Sequence, residues 1–166
     1  SSSMMVVKDF LVLGNIFDAS DGYVPNRVHW SGYNNISQWT PDSATQCDRQ
    51  DLFIEGSYRI QAMYGGEDGL IFMDNSIWKM SYVGSPIIFQ FDCLDNSHGM
   101  IYRRGGCKVG EDVYFIGRDD FYVFRNGTSI PIGKGVYEIY LREKYENNLY
   151  EQWNSVVKDP NKPIVY

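Results

Sequence analysis

The chain has 166 residues and a formal net charge of −6, which is the size of one ordinary domain. The acidic balance argues against binding to a nucleic-acid backbone, because such binding needs clustered Lys and Arg. The aromatic share is high at 16%, and flat rings pack well across neighbouring strands. We therefore predict a mostly β protein with no sequence-specific nucleic-acid binding.

The cysteines and the N-terminal residues indicate the cellular compartment in which the protein is assembled. Cys47, Cys93 and Cys107 are an odd, widely spaced set, which gives no disulfide framework. No Cys-x-x-Cys pair occurs and the two histidines stand far apart, so we expect no metal site and no cofactor. No apolar run approaches the ~20 residues of a membrane span, and no signal peptide is recognisable. These features fit assembly in a reducing cytoplasm.

The first third of the chain predicts strands separated by polar loops. Two continuous apolar runs, at 4–7 and 10–13, flank a polar pair that suits a tight turn. Their continuity predicts strands buried on both faces. Residues 18–26 predict a loop, and residues 27–31 predict a further strand. Residues 33–51 are polar and without period, which is typical of a surface excursion or a binding loop.

The middle of the chain predicts hairpins that recur at an offset of 43 residues. Strands are predicted at 52–64, 70–73, 77–82, 87–91, 113–116 and 121–125. The offset superposes Phe72 on Phe115, Met73 on Ile116, Trp78 on Phe121, Gly84 on Gly127, and Ile87 on Ile130. Extended backwards, it places 27–30 on 70–73 with a weaker match. The alternative is two unrelated hairpins that share a common strand-turn-strand pattern.

A period of about 40–50 residues with several short strands per unit is typical of propeller blades. We therefore predict antiparallel β-hairpin repeats that form part of a β-propeller-like assembly. The predicted hairpin units span approximately 4–57, 58–104 and 105–166.

The pattern changes after Pro131. Val136, Ile139 and Tyr140 stand at helical spacing, so a short helical segment is predicted near 136–154. Residues 163–166 begin a strand that has little room for its partners. We therefore expect either a single domain over 1–166 or a fragment of a longer protein with an incomplete last unit.

Catalytic signatures are few. No Gly-x-Ser-x-Gly elbow, phosphate loop or His-Glu-x-x-His motif occurs. Paired carboxylates for glycoside hydrolysis remain an alternative, with candidates Asp68, Asp74, Asp112, Asp119 and Asp120. All five lie in predicted turns, where Asp is favoured because its side chain caps backbone amides. We therefore predict a protein that is not an enzyme.

Three tryptophans are candidate binding residues. Trp30, Trp39 and Trp78 could serve as platforms that stack on the apolar faces of sugars. The alternative is that these rings fill the space between blades, since most of so many aromatic residues must pack inside the protein.

An ordered set of short motifs resembles the tail proteins of tailed bacteriophages. The set runs over about residues 4–166 and comprises Asn26-Arg27-Val28-His29-Trp30-Ser31, Trp39-Thr40-Pro41, Asp51-Leu52, Gly69-Leu70-Ile71-Phe72, Ile77-Trp78-Lys79-Met80, Tyr82-Val83-Gly84-Ser85-Pro86, Val113-Tyr114-Phe115-Ile116, Phe121-Tyr122-Val123-Phe124, Asn126-Gly127, Pro131-Ile132-Gly133, and Asp159-Pro160-Asn161-Lys162 before Ile164-Val165-Tyr166. Each motif alone is weak, and the order of the set carries the resemblance.

The resemblance implies a non-enzymatic virion structural component of the tail-nozzle or tail-hub type. Such proteins carry a β-propeller, form a homo-oligomeric ring and act in tail assembly and the DNA exit path. The implied partners are other phage tail or portal proteins, and the implied location is the virion tail, assembled in the host cytoplasm. The alternatives are a carbohydrate-binding β-propeller module and, less favoured, a glycoside hydrolase.

Overall fold

A computed structural model describes residues 1–140, 142 and 143, and this part of the chain is mostly β. Its twelve strands form three four-stranded antiparallel sheets. In each sheet the strands lie side by side in chain order, because every strand pairs with the one that follows it. The prediction of a mostly β protein built from antiparallel hairpins is confirmed.

Sheet 1 contains β1 (Ser3–Val7), β2 (Phe10–Asp18), β3 (Gly22–Trp30) and β4 (Asp48–Asp51). The prediction that its first strands are buried on both faces is wrong, since Met4 and Val6 are more than half exposed. Met5 and Val7, which alternate with them along β1, are the buried residues. The predicted loop at 18–26 is also wrong, because β2 extends to Asp18 and β3 begins at Gly22.

Sheet 2 contains β5 (Ile60–Tyr64), β6 (Gly69–Met73), β7 (Ile77–Gly84) and β8 (Ile88–Asp95). Sheet 3 contains β9 (Gly106–Val109), β10 (Asp112–Ile116), β11 (Phe121–Arg125) and β12 (Thr128–Pro131). The three sheets thus occupy successive stretches of the chain, at 3–51, 60–95 and 106–131.

The 43-residue offset relates equivalent elements of sheets 2 and 3. It superposes β6 on β10, the second strand of each sheet, and brings together Gly84 and Gly127, which both have positive φ (78° and 74°). The offset fails beyond these glycines, since Ile87 precedes β8 whereas Ile130 lies inside β12. The backward match is also wrong, because residues 27–30 belong to the third strand of sheet 1 and 70–73 to the second strand of sheet 2.

Sheet 2 is packed on both faces. Successive side chains of a strand point to opposite faces, so Ile71 and Met73 of β6 join one core cluster while Phe72 between them joins another. The first cluster includes Phe10 of sheet 1, and the second includes Phe115 of sheet 3. Sheet 2 therefore lies between sheets 1 and 3 and contributes to both cores.

The chain divides into Ser1–Ile132, which holds the twelve strands, and Gly133–Tyr166. Residues 136–140, 142 and 143 are helical, which confirms the start of the segment predicted near 136–154. The rest of that segment and the strand predicted at 163–166 lie outside the described residues. Within the described part of the chain, no helix has the length and apolar character needed to cross a membrane.

Candidate functional site

Trp30 is a core residue. Only 2% of it is exposed, and its indole N–H donates to the carbonyl of Gln46 at 2.8 Å. The rings of Phe89 and Phe91 lie 5.2 Å and 6.0 Å from it. Both the faces and the polar edge of Trp30 are therefore engaged inside the protein, and a sugar has no open face on which to stack.

Trp39 and Trp78 are partly buried. The indole N–H of Trp39 donates to the carbonyl of Ile36 at 2.8 Å, and the ring of His29 meets it edge-on at 5.3 Å. The indole N–H of Trp78 donates to the hydroxyl of Ser76 at 2.9 Å, and its ring packs against the core that contains Trp30. Trp39 on the loop after β3 therefore has the better access to a ligand.

The five candidate aspartates are all engaged in local contacts. Asp74 accepts bonds from the Ser57 hydroxyl and the Tyr58 amide, Asp119 from the Tyr122 hydroxyl and Asp120 from the Phe121 amide, while Asp68 pairs with Lys79 and Asp112 with Arg125. A hydrogen bond from Arg125 lowers the pKa of Asp112. These contacts are those of turn caps and ion pairs.

A cluster of opposite charges, the Arg27 cluster, lies at one end of sheet 1. Arg27 is 8% exposed and pairs with Asp18, Asp21 and Asp51, and Arg49 also pairs with Asp18. The antiparallel register places Arg27 opposite Asp51 across β3 and β4. Sequence reasoning missed this cluster, whose members come from three strands and a turn. Its two arginines and three aspartates attract one another, so the cluster ties the strands together.

A second polar cluster joins sheets 2 and 3. Asp95 pairs with His98 at 2.8 Å and accepts a bond from the Ser129 hydroxyl at 2.8 Å, while the His98 ring lies 4.8 Å from Tyr122. Burial raises the pKa of Asp95, but hydrogen bonds from Ser97, Ser129 and His98 outweigh burial and the net shift is downward. Ser129 contacts the carboxylate and not the imidazole, so the arrangement differs from a nucleophilic triad.

The thiol of Cys47 is shielded, and no metal centre is found among the described residues. Cys47 is buried, and its thiol lies 3.2 Å from the carbonyl oxygen of Trp30. Burial raises the pKa of this thiol to about 11, which keeps it protonated and unreactive near neutral pH. Among the described residues, no group of three or more His, Cys, Asp and Glu side chains could hold a metal ion.

The first strands of sheets 1 and 2 run side by side. Gly66 donates its N–H to the carbonyl of Val6 at 3.0 Å and accepts a bond from the Lys8 N–H at 3.1 Å, and a parallel bridge joins Val7 to Gly66. A Cβ on Gly65 would lie 2.0 Å from the Val6 carbonyl oxygen. Glycine is therefore required at position 65, where the segment after β5 touches β1.

A groove of about 480 Å³, the first-strand groove, opens near the start of these strands. It is lined by Ser1, Ser2, Ser3, Met4, Gln61, Ala62, Met63, Tyr64, Arg104 and Gly106. These residues come from β1, from β5 and from the segment that enters β9. The volume lies within the range of small-molecule sites in proteins.

Arg104 carries the one charged side chain among the described residues that line the groove. It is exposed, and it pairs with none of the carboxylates in the described part of the chain. Burial raises the pKa of Tyr64, so its phenol stays a neutral hydroxyl. In the sequence this arginine stands beside Arg103, but no local pattern links it to β1 or β5.

No known protein family matches the chain, and no curated protein sequence is similar to it.

Proposed function

We propose that the protein is a non-enzymatic structural component of a bacteriophage tail, of the nozzle or hub type. The observation that supports this most is the stacking of three consecutive four-stranded sheets, with the first strands of sheets 1 and 2 side by side. Propeller blades are four-stranded antiparallel sheets that stack around an axis. The arrangement is therefore the one expected of part of a propeller, as the resemblance to tail proteins implies.

Exposed apolar side chains on β1 support a role in a larger assembly. Met4 and Val6 are exposed there, opposite Leu13 and Leu11 in the antiparallel register. Propellers have about 4–8 blades, whereas the described part of the chain contains three sheets. Further β structure would bury these apolar side chains. We assign that structure to the assembled ring or to a neighbouring tail or portal protein.

The contacts of the polar residues support a role without catalysis. The candidate aspartates cap turns or pair with Lys79 and Arg125, and the buried thiol of Cys47 is protonated near neutral pH. In this proposal the protein resides in the virion tail, is assembled in the host cytoplasm, and acts in tail assembly and along the path of DNA exit.

Immunogold electron microscopy of purified particles tests the proposal. Antibodies against this chain should label the tail, and mass spectrometry should find the protein in the same particles. Its absence from purified virions would refute the tail role. Val6→Asp should block assembly while the circular dichroism spectrum stays unchanged. Tyr58→Asp is the matched control, since Tyr58 is also exposed but lies outside sheet 1.

A carbohydrate-binding module is the second candidate, and the partly exposed Trp39 favours it. A glycan array separates the two functions: binding that is lost in Trp39→Ala would favour sugar recognition, and an array without signal would count against it. A glycoside hydrolase would need two carboxylates about 5–10 Å apart in a cleft, and hydrolysis of a labelled oligosaccharide would reveal that activity.

A further inference from the structure

We propose that the first-strand groove binds a small anion with a carboxylate or phosphate group, held by Arg104. The inference goes beyond the proposed function and does not depend on it, because it needs only the groove and its lining.

The charge of the groove contrasts with that of the whole chain. The protein has a net charge of −6, yet the described lining of the groove includes a guanidinium and no carboxylate. Arg103 adjoins Arg104 in sequence, and Lys108 reaches back to the first strands, where its ammonium donates to the carbonyl of Gly65 at 3.3 Å. A guanidinium in a described lining without carboxylates favours anions over cations.

The hydrogen-bonding groups of the lining are those that an anion needs. A guanidinium presents a planar fork of donors that matches the oxygens of a carboxylate or phosphate. Serine and tyrosine hydroxyls are further donors, and Ser1, Ser2 and Tyr64 supply them. The Ser2 hydroxyl oxygen is buried and has no hydrogen-bond partner among the described residues, so the fold leaves this donor unused.

The fold holds the lining in place without using the arginine. Gln61 donates its amide N–H to the carbonyl of Ile101 at 3.4 Å, and the Ser3 hydroxyl donates to the carbonyl of Gln61 at 3.5 Å. These contacts tie β1, β5 and the segment before β9 together around the groove. Arg104 makes no such contact in the described chain, so its guanidinium is available to a ligand.

Titration of the full chain with citrate and with inorganic phosphate tests the inference. Isothermal calorimetry gives the affinity, and amide shifts in ¹H–¹⁵N spectra locate the site. Arg104→Gln should weaken binding at least about tenfold, the loss expected when a charge-assisted hydrogen bond is removed. Arg59→Gln is the matched control, since Arg59 is an exposed arginine outside the lining, and it should leave the affinity unchanged.

The outcomes are distinct. Tighter binding of citrate assigns a carboxylate ligand, and tighter binding of phosphate assigns a phosphate-bearing one. The inference is overturned if neither probe binds at about 10 mM, which is weaker than typical small-ligand binding. It is also overturned if Arg104→Gln and Arg59→Gln weaken binding equally, or if the shifts map to the Arg27 cluster in place of the groove.

Discussion

Phe72 packs sheet 2 against sheet 3, and removal of its ring should weaken that contact. Phe72 is fully buried, and its ring lies 5.6 Å from Tyr64, 5.2 Å from Phe115 and 5.8 Å from Phe124. Phe115 and Phe124 belong to sheet 3, so this ring is the main aromatic contact between the two sheets. We expect Phe72→Ala to destabilise the protein strongly.

The magnitude follows from the burial of the ring. A buried aromatic side chain removes about 200 Å² from water, which at ~25 cal/mol per Å² amounts to about 5 kcal/mol. The alanine retains part of this, and edge-to-face ring pairs add about 0.5–1.5 kcal/mol each. Core Phe→Ala substitutions cost about 3–5 kcal/mol, so we expect a loss of about 4 kcal/mol. Such a loss is a large share of the ~5–15 kcal/mol that stabilises a typical domain.

Urea unfolding followed by far-ultraviolet circular dichroism measures this loss. The control is Phe53→Ala, because 76% of Phe53 is exposed and its removal should change the free energy of unfolding by less than about 0.5 kcal/mol. A loss below about 1 kcal/mol for Phe72→Ala, or equal losses in the two variants, would refute the packing of sheets 2 and 3 through this ring.

Three further predictions concern backbone contact, pH and thiol reactivity. Gly65→Ala should cost about 1–3 kcal/mol or more in urea unfolding, because the added methyl meets a backbone oxygen; Gly110→Ala, in open space at φ 62°, should cost only about 1 kcal/mol. The pKa of Asp95 is lowered in the fold, so its stabilisation is complete above its unfolded pKa near 3.9 and is lost as pH falls further. Asp95→Asn should therefore be less stable at pH 7, and its free energy of unfolding should fall less steeply than that of the unchanged protein as pH is lowered. An equal slope in the two proteins would contradict this. With Ellman's reagent at pH 8 the exposed Cys107 should react first and Cys93 more slowly, because burial raises the pKa of the Cys93 thiol, whereas the buried Cys47 should react only after urea is added.

Elements that depend on neighbours in the chain were predictable. Turn residues and alternating apolar residues act over a few positions, and so the hairpin β6–β7 and its repeat β10–β11 could be predicted from sequence alone. The matched turns at Gly84 and Gly127 followed from the same local chemistry, since both need positive φ.

Features that depend on which surfaces meet were not predictable. The run at 4–7 reads as uniformly apolar, and only the packing of sheet 1 on sheet 2 decides that Met5 is buried while Met4 is exposed. Tryptophan is a residue type that can stack on sugars, yet Phe89 and Phe91 from sheet 2 cover Trp30. Both outcomes depend on contacts between residues far apart in sequence.

The strand-rich character, the antiparallel hairpins and the acidic charge follow from the amino-acid sequence alone, because they depend on composition and on spacings of a few residues. Which face of each sheet is buried depends on how the sheets pack, and the same packing assembles the Arg27 cluster and the first-strand groove. Ser2, Tyr64 and Arg104 line one groove only because β1, β5 and the start of sheet 3 meet there. No local pattern encodes that meeting, since it results from the packing of whole sheets through their cores.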